Sequence, residues 1–500
     1  MQLTEVVVTS ATVGATRSRK AKVAALADRL TEARPDELEI VTCYLAGSLR
    51  QRRTGLGWRS LAALPPPATE SSLEVVEVDA AFERMSLLTG PGSAAARAAA
   101  TAALFGRATE AEQHWLRGVA VGEVRQGALD ALVQEALAAA AAVPLPVLRR
   151  AAMLAGSTVA ISRLAFEGAE ALAAVGLEVG RPVLPMLAAS APTVAAAVVK
   201  AGSPVAVDTK LDGIRVQVHR DGDSVVVATR TLDDITHRLP EVVEVARGLP
   251  ARRFVLDGEA ISLGEDGRPR PFQETASRTA SQSGTAVSAY FFDLLHVDGR
   301  DLLDAPLDQR LAALDALVPA AHRVRRLVTD EVEEAEAFAR EALAAGHEGV
   351  VVKSLAAPWE AGRRGSGWVK VKPVHTLDLV VLAVEWGSGR RRGLLSNIHL
   401  GARDPATGDF VMLGKTFKGM TDEMLAWQTE RFLALETHRD DWTVYLRPEQ
   451  VVEIAFDGVQ RSTRYPGGMA LRFARVVRYR DDKTAAEADT VDTLAAMKGA

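Results

Sequence analysis

Helical periodicity marks the first third of the chain. Between about Ala11 and Leu177, apolar residues recur at helical spacing in alanine-rich segments such as LDALVQEALAAAAA. Turn signals such as ALPPPA and LTGPGS separate these segments. Apolar residues that repeat with a period of about 3.6, interrupted by Gly and Pro, are typical of amphipathic helices. The pattern therefore predicts an all-α N-terminal domain over residues 1–178.

A different pattern begins near Gly180. Short β-branched runs such as SPVAVDTK, IRVQVHR and GVVVKS alternate with helical segments such as EEAEAFAREALAAG. Strand-like runs interleaved with helices indicate a sheet that is covered by helices. We expect an α+β domain over residues 179–374.

Strands dominate the last part of the chain. Five strand-like runs and one helical segment, TDEMLAWQTERFLAL, follow Val374. Five short strands with one helix in about 125 residues fit a small Greek-key barrel, the OB-fold. The sequence predicts such a β-barrel over residues 375–500, and a β-sandwich is the alternative.

Composition narrows the class of protein. The 500 residues are 48% hydrophobic and 25% charged, which excludes a mostly disordered chain. A net charge of −5 means that any binding of nucleic acid must use local basic patches. The single cysteine, Cys43, excludes a disulfide framework and fits a reducing, cytoplasmic compartment. The longest uncharged stretch, residues 182–199, contains three prolines and much alanine, so we expect no membrane span.

The segment DTKLDGIR, residues 208–215, carries the first candidate chemistry. A strand leads to Lys210, Asp212 and Gly213 form a turn, and a second strand carries Arg215 away. A lysine at the end of a strand can act as a nucleophile when its surroundings favour the neutral amine. Taken alone, the segment fits an ordinary hairpin with a surface lysine equally well.

Charged residues at the later strands favour a nucleophilic lysine over an ordinary hairpin. They occur in the order Arg230, Glu259, Asp293, Glu348, Lys370 and Lys372. One nucleophile, carboxylates able to hold a divalent metal and several cations form the set that phosphoryl or nucleotidyl transfer needs. GDFVMLGKT, residues 408–416, has one residue more between its glycines than a phosphate-binding P-loop has, which argues against a kinase.

The motifs KLDGIR, VLDGEA, FFDLLH, EGVVVK and WVKVKP, in this order, resemble the nucleotidyltransferase motifs of ATP-dependent DNA ligases. The stretch from LTGPGS to EVRQG is similar to the helical DNA-binding domain of three-domain ligases. LRFARVVRYRDDK looks like the motif that closes their OB domain. Within the family, the chain most resembles the actinobacterial, mycobacterial-like type called ligase B.

The resemblance implies roles for the residues that bind the nucleotide. Lys210 would attack the α-phosphate of ATP and become lysyl-AMP. Asp208 would contact the adenine amino group, and Phe292 would stack on the base. Glu259 and Glu348 would bind Mg²⁺ and the sugar.

Cations would complete this site. In the family, Arg215 and Arg230 would hold the ribose region and the phosphates. Lys370 and Lys372 would grip the α-phosphate, and Arg364 would reach the triphosphate. The residues of the last motif that would orient pyrophosphate are Arg480, Asp482 and Lys483. The candidate DNA contacts are Arg125, Lys415 and Lys418.

The resemblance also implies partners and a reaction. The substrate would be nicked double-stranded DNA, which a monomer would encircle, with ATP and Mg²⁺ as cofactors. AMP would pass from Lys210 to the 5′-phosphate of the nick, and the 3′-hydroxyl would then displace it. An RNA ligase or a capping-type nucleotidyltransferase stays open as an alternative, as does a DNA-binding protein without catalysis.

Overall fold

The computed structural model describes residues 1–124, 126–127, 130–281, 286–361 and 364–497. The chain forms two compact units. The first comprises Met1–Phe338 and Val351–Lys370, and the second comprises Ala339–Val350 and Val371–Ala500. None of the helices in the described ranges combines the length and the apolar character needed to cross a membrane.

The first unit begins with helices, as the periodicity predicts. They are α1 (Leu3–Ala15), α2 (Arg19–Glu32), α3 (Leu38–Leu45), α4 (Val75–Ser86), α5 (Ser93–Phe105), α6 (Glu110–Ala120), α7 (Asp130–Ala140), α8 (Leu145–Ala155), α9 (Ser162–Ala165) and α10 (Ala169–Ala173).

Local sequence signals start and stop these helices. Thr109 caps α6, and Glu112 accepts a hydrogen bond from the Thr109 backbone N–H at 2.8 Å, which completes a capping box. Gly156 ends α8 with φ +73°, a conformation that glycine adopts without steric cost. The apolar faces meet in one buried core, which includes Leu26, Tyr44 and Phe82. Burial of these faces holds the short helices together.

Two five-stranded sheets and their helices follow. The elements are β1 (Leu187–Ser190), α11 (Val194–Ala201), β2 (Val205–Lys210), β3 (Ile214–Asp221), β4 (Ser224–Thr229), α12 (Pro240–Gly248), β5 (Arg253–Ser262), α13 (Phe272–Ser281), β6 (Val287–Val297), β7 (Arg300–Asp301), α14 (Leu307–Leu317), β8 (Arg326–Thr329), α15 (Val332–Ala344), β9 (Gly349–Ser354) and β10 (Arg364–Val371). The strand orders are β1-β10-β9-β2-β8 and β4-β3-β5-β6-β7. The charged residues that the motifs contribute to the candidate site thus lie on a strand or next to one, as expected.

The second unit contains an OB-like sheet domain. Its elements are β11 (His375–Trp386), β12 (Leu395–Arg403), β13 (Phe410–Thr416), α16 (Asp422–Ala434), β14 (Glu436–Arg439), β15 (Thr443–Leu446), β16 (Val451–Phe456), β17 (Gly458–Arg461), β18 (Met469–Arg472), β19 (Arg475–Tyr479) and α17 (Val491–Ala496).

One long strand organises this sheet. β11 pairs with β16 along its first half and with β15 along its second half, and it also pairs with β12. The five predicted runs all form strands. Sequence reasoning missed β14 and β15, because each has only four residues and the segment ETHR is polar and exposed.

Candidate active site

The candidate nucleophile stands at the end of a buried strand. β2 ends at Lys210, which is half-buried, and its Nζ lies 3.5 Å from the Leu211 carbonyl oxygen. A Cβ on Gly213 would lie 2.3 Å from the Ala260 carbonyl oxygen, so the turn passes too close to β5 for any side chain. The glycine of the motif is therefore needed for the close approach of two backbones.

Glu259 lies next to this turn. β3 and β5 pair so that Glu259 is opposite Arg215, and its Oε1 accepts a hydrogen bond from the Gly213 N–H at 3.2 Å. Burial raises the pKa of Glu259 to about 7, and the positive charges of Lys210 and Arg215 oppose this rise. The structure thus brings Glu259 into electrostatic contact with Lys210.

Arg215 is held by several partners. Its Nε and Nη2 donate to the two oxygens of Asp257 at 3.0 and 2.6 Å, and its Nη1 donates to the Met186 carbonyl oxygen at 2.6 Å. The rings of Phe292 and Trp368 lie 5.6 and 5.5 Å from the guanidinium carbon. This guanidinium is rigid before any ligand arrives, so only its remaining N–H groups are left for a ribose.

Sequence reasoning missed Asp257. It lies two residues before Glu259 in VLDGEA, so both side chains point to the same face of β5. That spacing was the signal that could have found it.

Asp208 is buried between two cations. Its Oδ1 accepts from Arg326 Nε at 3.0 Å, and its Oδ2 lies 2.5 Å from Lys353 Nζ. The adenine amino group expected at this carboxylate must therefore share it with these cations. Lys353, the last residue of EGVVVK, is a further site residue that sequence reasoning missed.

Lys353 and Phe292 form one cluster. The Lys353 ammonium lies 4.5 Å from the centre of the Phe292 ring and 4.3 Å from the centre of the Trp368 ring. Burial lowers the pKa of Lys353, and the charge of Asp208 opposes this shift. Phe292 is half-buried and packs edge-on against Trp368 at 5.6 Å. A base stacked on Phe292 would therefore lie close to the Trp368 ring and the Lys353 ammonium, which are already in contact.

The other predicted residues of the first unit lie at separate positions. Arg230 is exposed in the turn after β4. Lys370 is half-buried on β10, opposite Ser190 of β1, and its carbonyl oxygen accepts from the Ala191 N–H at 3.1 Å. Arg364 begins β10, but its side chain lies outside the described residues, as does the whole of Arg125.

Glu348 and Lys372 both belong to the second unit, where they form an ion pair. Lys372 Nζ donates to Glu348 Oε1 at 3.1 Å and also contacts Asp457. Lys372 follows the last residue of β10. Within this unit, Glu348 is therefore a carboxylate that already faces a lysine.

Two residues of the last motif contact Asp378, another residue of the second unit. Arg480 Nη1 donates to Asp378 Oδ2 at 3.0 Å, and Lys483 Nζ donates to the same oxygen at 2.5 Å. Arg480 also makes two hydrogen bonds to Asp482, at 2.8 and 2.6 Å, which lower the pKa of Asp482 to about 2. The three residues expected to orient pyrophosphate thus form one charged cluster.

The sequence predicts DNA contacts for two lysines of the second unit. Lys415 forms an ion pair with Glu385, which also accepts from Asn397 at 2.6 Å. Lys418 Nζ lies 5.6 Å from the ring of Phe473, which is exposed. Lys415 therefore has a carboxylate partner that any phosphate must displace.

Comparison with known proteins decides the family. Residues 185–372 match the ATP dependent DNA ligase domain, and residues 391–483 match the ATP dependent DNA ligase C terminal region. A "Probable DNA ligase" of Nocardioides sp. is 72% identical over 99% of both chains. A "Probable DNA ligase" of Kineococcus radiotolerans is 68% identical over 99% of this chain and 100% of its own. The chain belongs to the ATP-dependent DNA ligases.

The fold of this ligase extends beyond the two matched segments. A solved structure named Pmar-Lig_PreS3 superposes with a TM-score of 0.64 and covers 95% of the ligase and 99% of its own chain. Its sequence identity is 18%, so this likeness concerns the fold alone. It includes the helical region that precedes residue 185.

Glu259 is a carboxylate that could hold a magnesium ion together with the phosphates of a substrate. Over the described ranges, no group of three or more His, Cys, Asp or Glu side chains could hold a metal by itself. Mg²⁺ is usually bound by one or two carboxylates together with phosphate oxygens and water. Glu259 is half-buried and its pKa is about 7, so a nearby cation would favour its charged form.

Proposed function

We propose that this ATP-dependent DNA ligase seals nicks in duplex DNA through a covalent adenylate on Lys210. The placement of Lys210 at a glycine turn beside Glu259 carries the proposal. A half-buried amine beside Glu259, on which the charge of Arg215 also acts, can approach a phosphate whose negative charge nearby cations offset.

The first step forms a phosphoramidate. The neutral Lys210 amine attacks the α-phosphorus of ATP, a P–N bond forms, the bond to the bridging oxygen breaks, and pyrophosphate leaves with the electron pair. The proton of the amine passes to water. Asp208 and Phe292 recognise the adenine, Arg215 and Arg230 hold the ribose region and the phosphates, and the α-phosphate is bound by Lys370 and Lys372.

The second and third steps move AMP and then release it. An oxygen of the 5′-phosphate of DNA attacks the same phosphorus, the P–N bond breaks, and Lys210 takes up a proton. The 3′-hydroxyl then attacks the activated 5′-phosphate, loses its proton and expels AMP. Glu259 and Glu348 would hold Mg²⁺, which supplies charge neutralisation at the phosphates when it is bound.

Other parts of the chain support these steps. Arg364 contacts the triphosphate, and the cluster of Arg480, Asp482 and Lys483 orients pyrophosphate for departure. Lys415 and Lys418, together with Arg125, contact the DNA backbone, so binding is salt-sensitive.

We also propose the domain organisation that serves this function. The DNA-binding domain covers residues 1–178, the adenylation domain 179–374 and a β-barrel OB-fold domain 375–500. Three linked domains of this kind suit a monomer that encircles the duplex.

The test uses ATP labelled at the α-phosphate. We expect label on the wild-type chain and none on Lys210→Ala, whereas the exposed Lys200→Ala is labelled normally. We also expect the wild type to seal a nicked duplex with ATP and Mg²⁺, but not with NAD. A labelled Lys210→Ala variant, or label from GTP but not from ATP, would overturn the proposal.

A further inference from the structure

A tight turn carries Arg230 and also contacts the helical region. The Thr229 N–H donates to the Asp233 carbonyl oxygen at 2.9 Å, and the Leu232 N–H donates to the Thr229 carbonyl oxygen at 2.9 Å. Thr231 Oγ1 donates to Asp233 Oδ2 at 2.5 Å. The residues on both sides of Arg230 are therefore fixed, while Arg230 itself is exposed.

Arg52, which lies in the segment between α3 and α4, hydrogen-bonds to this turn. Its Nη2 donates to the Thr231 carbonyl oxygen at 2.8 Å, and its Nη1 bonds to Asp233 Oδ1. One planar guanidinium thus spans the two residues that flank the tip of the turn. This fork geometry gives orientation as well as attraction, which a single-point cation would not provide.

A second part of the helical region lies close to the same turn. Leu232 has φ +64°, a conformation that costs a leucine energy and persists only when its surroundings impose it. A Cβ on Gly156, the residue that ends α8, would lie 3.1 Å from Leu232 Cδ1. The helical region therefore meets the turn at two points that are distant in sequence, Arg52 and Gly156.

We infer that Arg52 and Asp233 form a clamp by which the helical region positions Arg230 for its phosphate. Arg52 is a positioning residue, because it contacts the turn and not the reacting atoms. The inference rests on the proposed function, in which Arg230 binds a phosphate. It assigns the helical region a part in the chemistry in addition to a part in DNA binding.

The experiment measures each step separately over a range of ATP and nicked-DNA concentrations, and it compares the rates at saturation. One assay follows formation of lysyl-AMP, and the other follows AMP transfer from preformed lysyl-AMP to the nick. Arg230→Ala first shows which step depends on Arg230. We expect Arg52→Ala and Asp233→Asn each to slow that same step by about fivefold, the scale of an exposed ion pair, and to leave the other step unchanged.

Two further variants separate the clamp from a direct DNA contact. Arg52→Asp combined with Asp233→Arg restores the ion pair with reversed charges but loses the hydrogen bond to the Thr231 carbonyl oxygen, so we expect part of the lost rate to return. Arg53→Ala removes the neighbouring exposed arginine and should leave both steps at the wild-type rate. The melting temperature of each full-length variant is also measured, and rates are compared only among variants that melt at the wild-type temperature.

Other outcomes overturn the inference. If Arg52→Ala raises only the KM for DNA while Asp233→Asn behaves as wild type, Arg52 binds DNA directly. If the charge swap restores nothing, the pair does not act as a clamp. Absence of lysyl-AMP from the wild type would instead mean that the proposed function has failed.

Discussion

The carboxylate of Asp208 and the ammonium of Lys353 lie 2.5 Å apart, and both side chains are almost completely buried. Arg326 holds the second oxygen of the same carboxylate at 3.0 Å. One acid therefore compensates two cations inside the first unit. Charges in such a place are costly to leave alone, because the surrounding protein solvates them poorly.

Removing this acid should destabilise the fold as well as weaken ATP binding. We expect Asp208→Ala to lower the free energy of unfolding of the first unit by about 3–5 kcal/mol, because the buried Lys353 loses its carboxylate partner and Arg326 keeps only Asp315. Denaturant unfolding of the full chain measures the change. Asp223, which pairs with Arg252 at the surface, is the control, and Asp223→Ala should cost less than about 0.5 kcal/mol. Equal losses in the two variants would contradict the prediction.

The pKa of Glu259 makes stability depend on pH. Burial raises the pKa of this carboxyl from 4.5 to about 7. Between these values the folded chain keeps a proton that the unfolded chain releases, so rising pH favours unfolding. We expect the wild type, in EDTA, to lose stability relative to Glu259→Gln from pH 4.5 to 7, with a constant difference above that.

Melting temperatures of the two proteins at pH 5 and at pH 7 test this sign. A wild type that gains stability over Glu259→Gln in that window would contradict it. If Glu259 holds Mg²⁺ as proposed, it does so in its ionised form, so the apparent affinity of the wild type for Mg²⁺ should strengthen as the pH rises towards 7. Glu259→Gln should lose this dependence.

The ion pair between Glu385 and Lys415 should restrain DNA binding. Glu385→Gln removes the negative charge that holds Lys415, so we expect tighter binding of nicked duplex. The slope of log affinity against log salt should steepen by about 0.9 if one more lysine neutralises a phosphate. Affinities measured between low and high salt give this slope.

A matched variant controls for the loss of one acid. Glu436 pairs with Arg439 in the same unit, and Glu436→Gln should change the salt slope little. If Glu385→Gln and Glu436→Gln shift affinity and slope equally, the effect comes from net charge and not from release of Lys415.

Local sequence determined much of this protein. The spacing of apolar residues was sufficient to locate the helical region, the mixed sheets and the five main strands of the last part. The motif around Lys210 could also be found. Its turn admits only glycine at position 213, so this residue appears in the sequence as part of the motif. These features depend on neighbours along the chain.

Only the tertiary structure decided which charges meet. Arg326 and Lys353, on strands that are distant in sequence, both pair with Asp208. Asp378 pairs with Arg480 and Lys483, and Arg52 pairs with Asp233. No periodicity records such pairs, since each partner alone looks like an ordinary charged residue. Their energies depend on distances of a few ångströms and, for the buried pairs, on exclusion of water, and both exist only after the chain has folded.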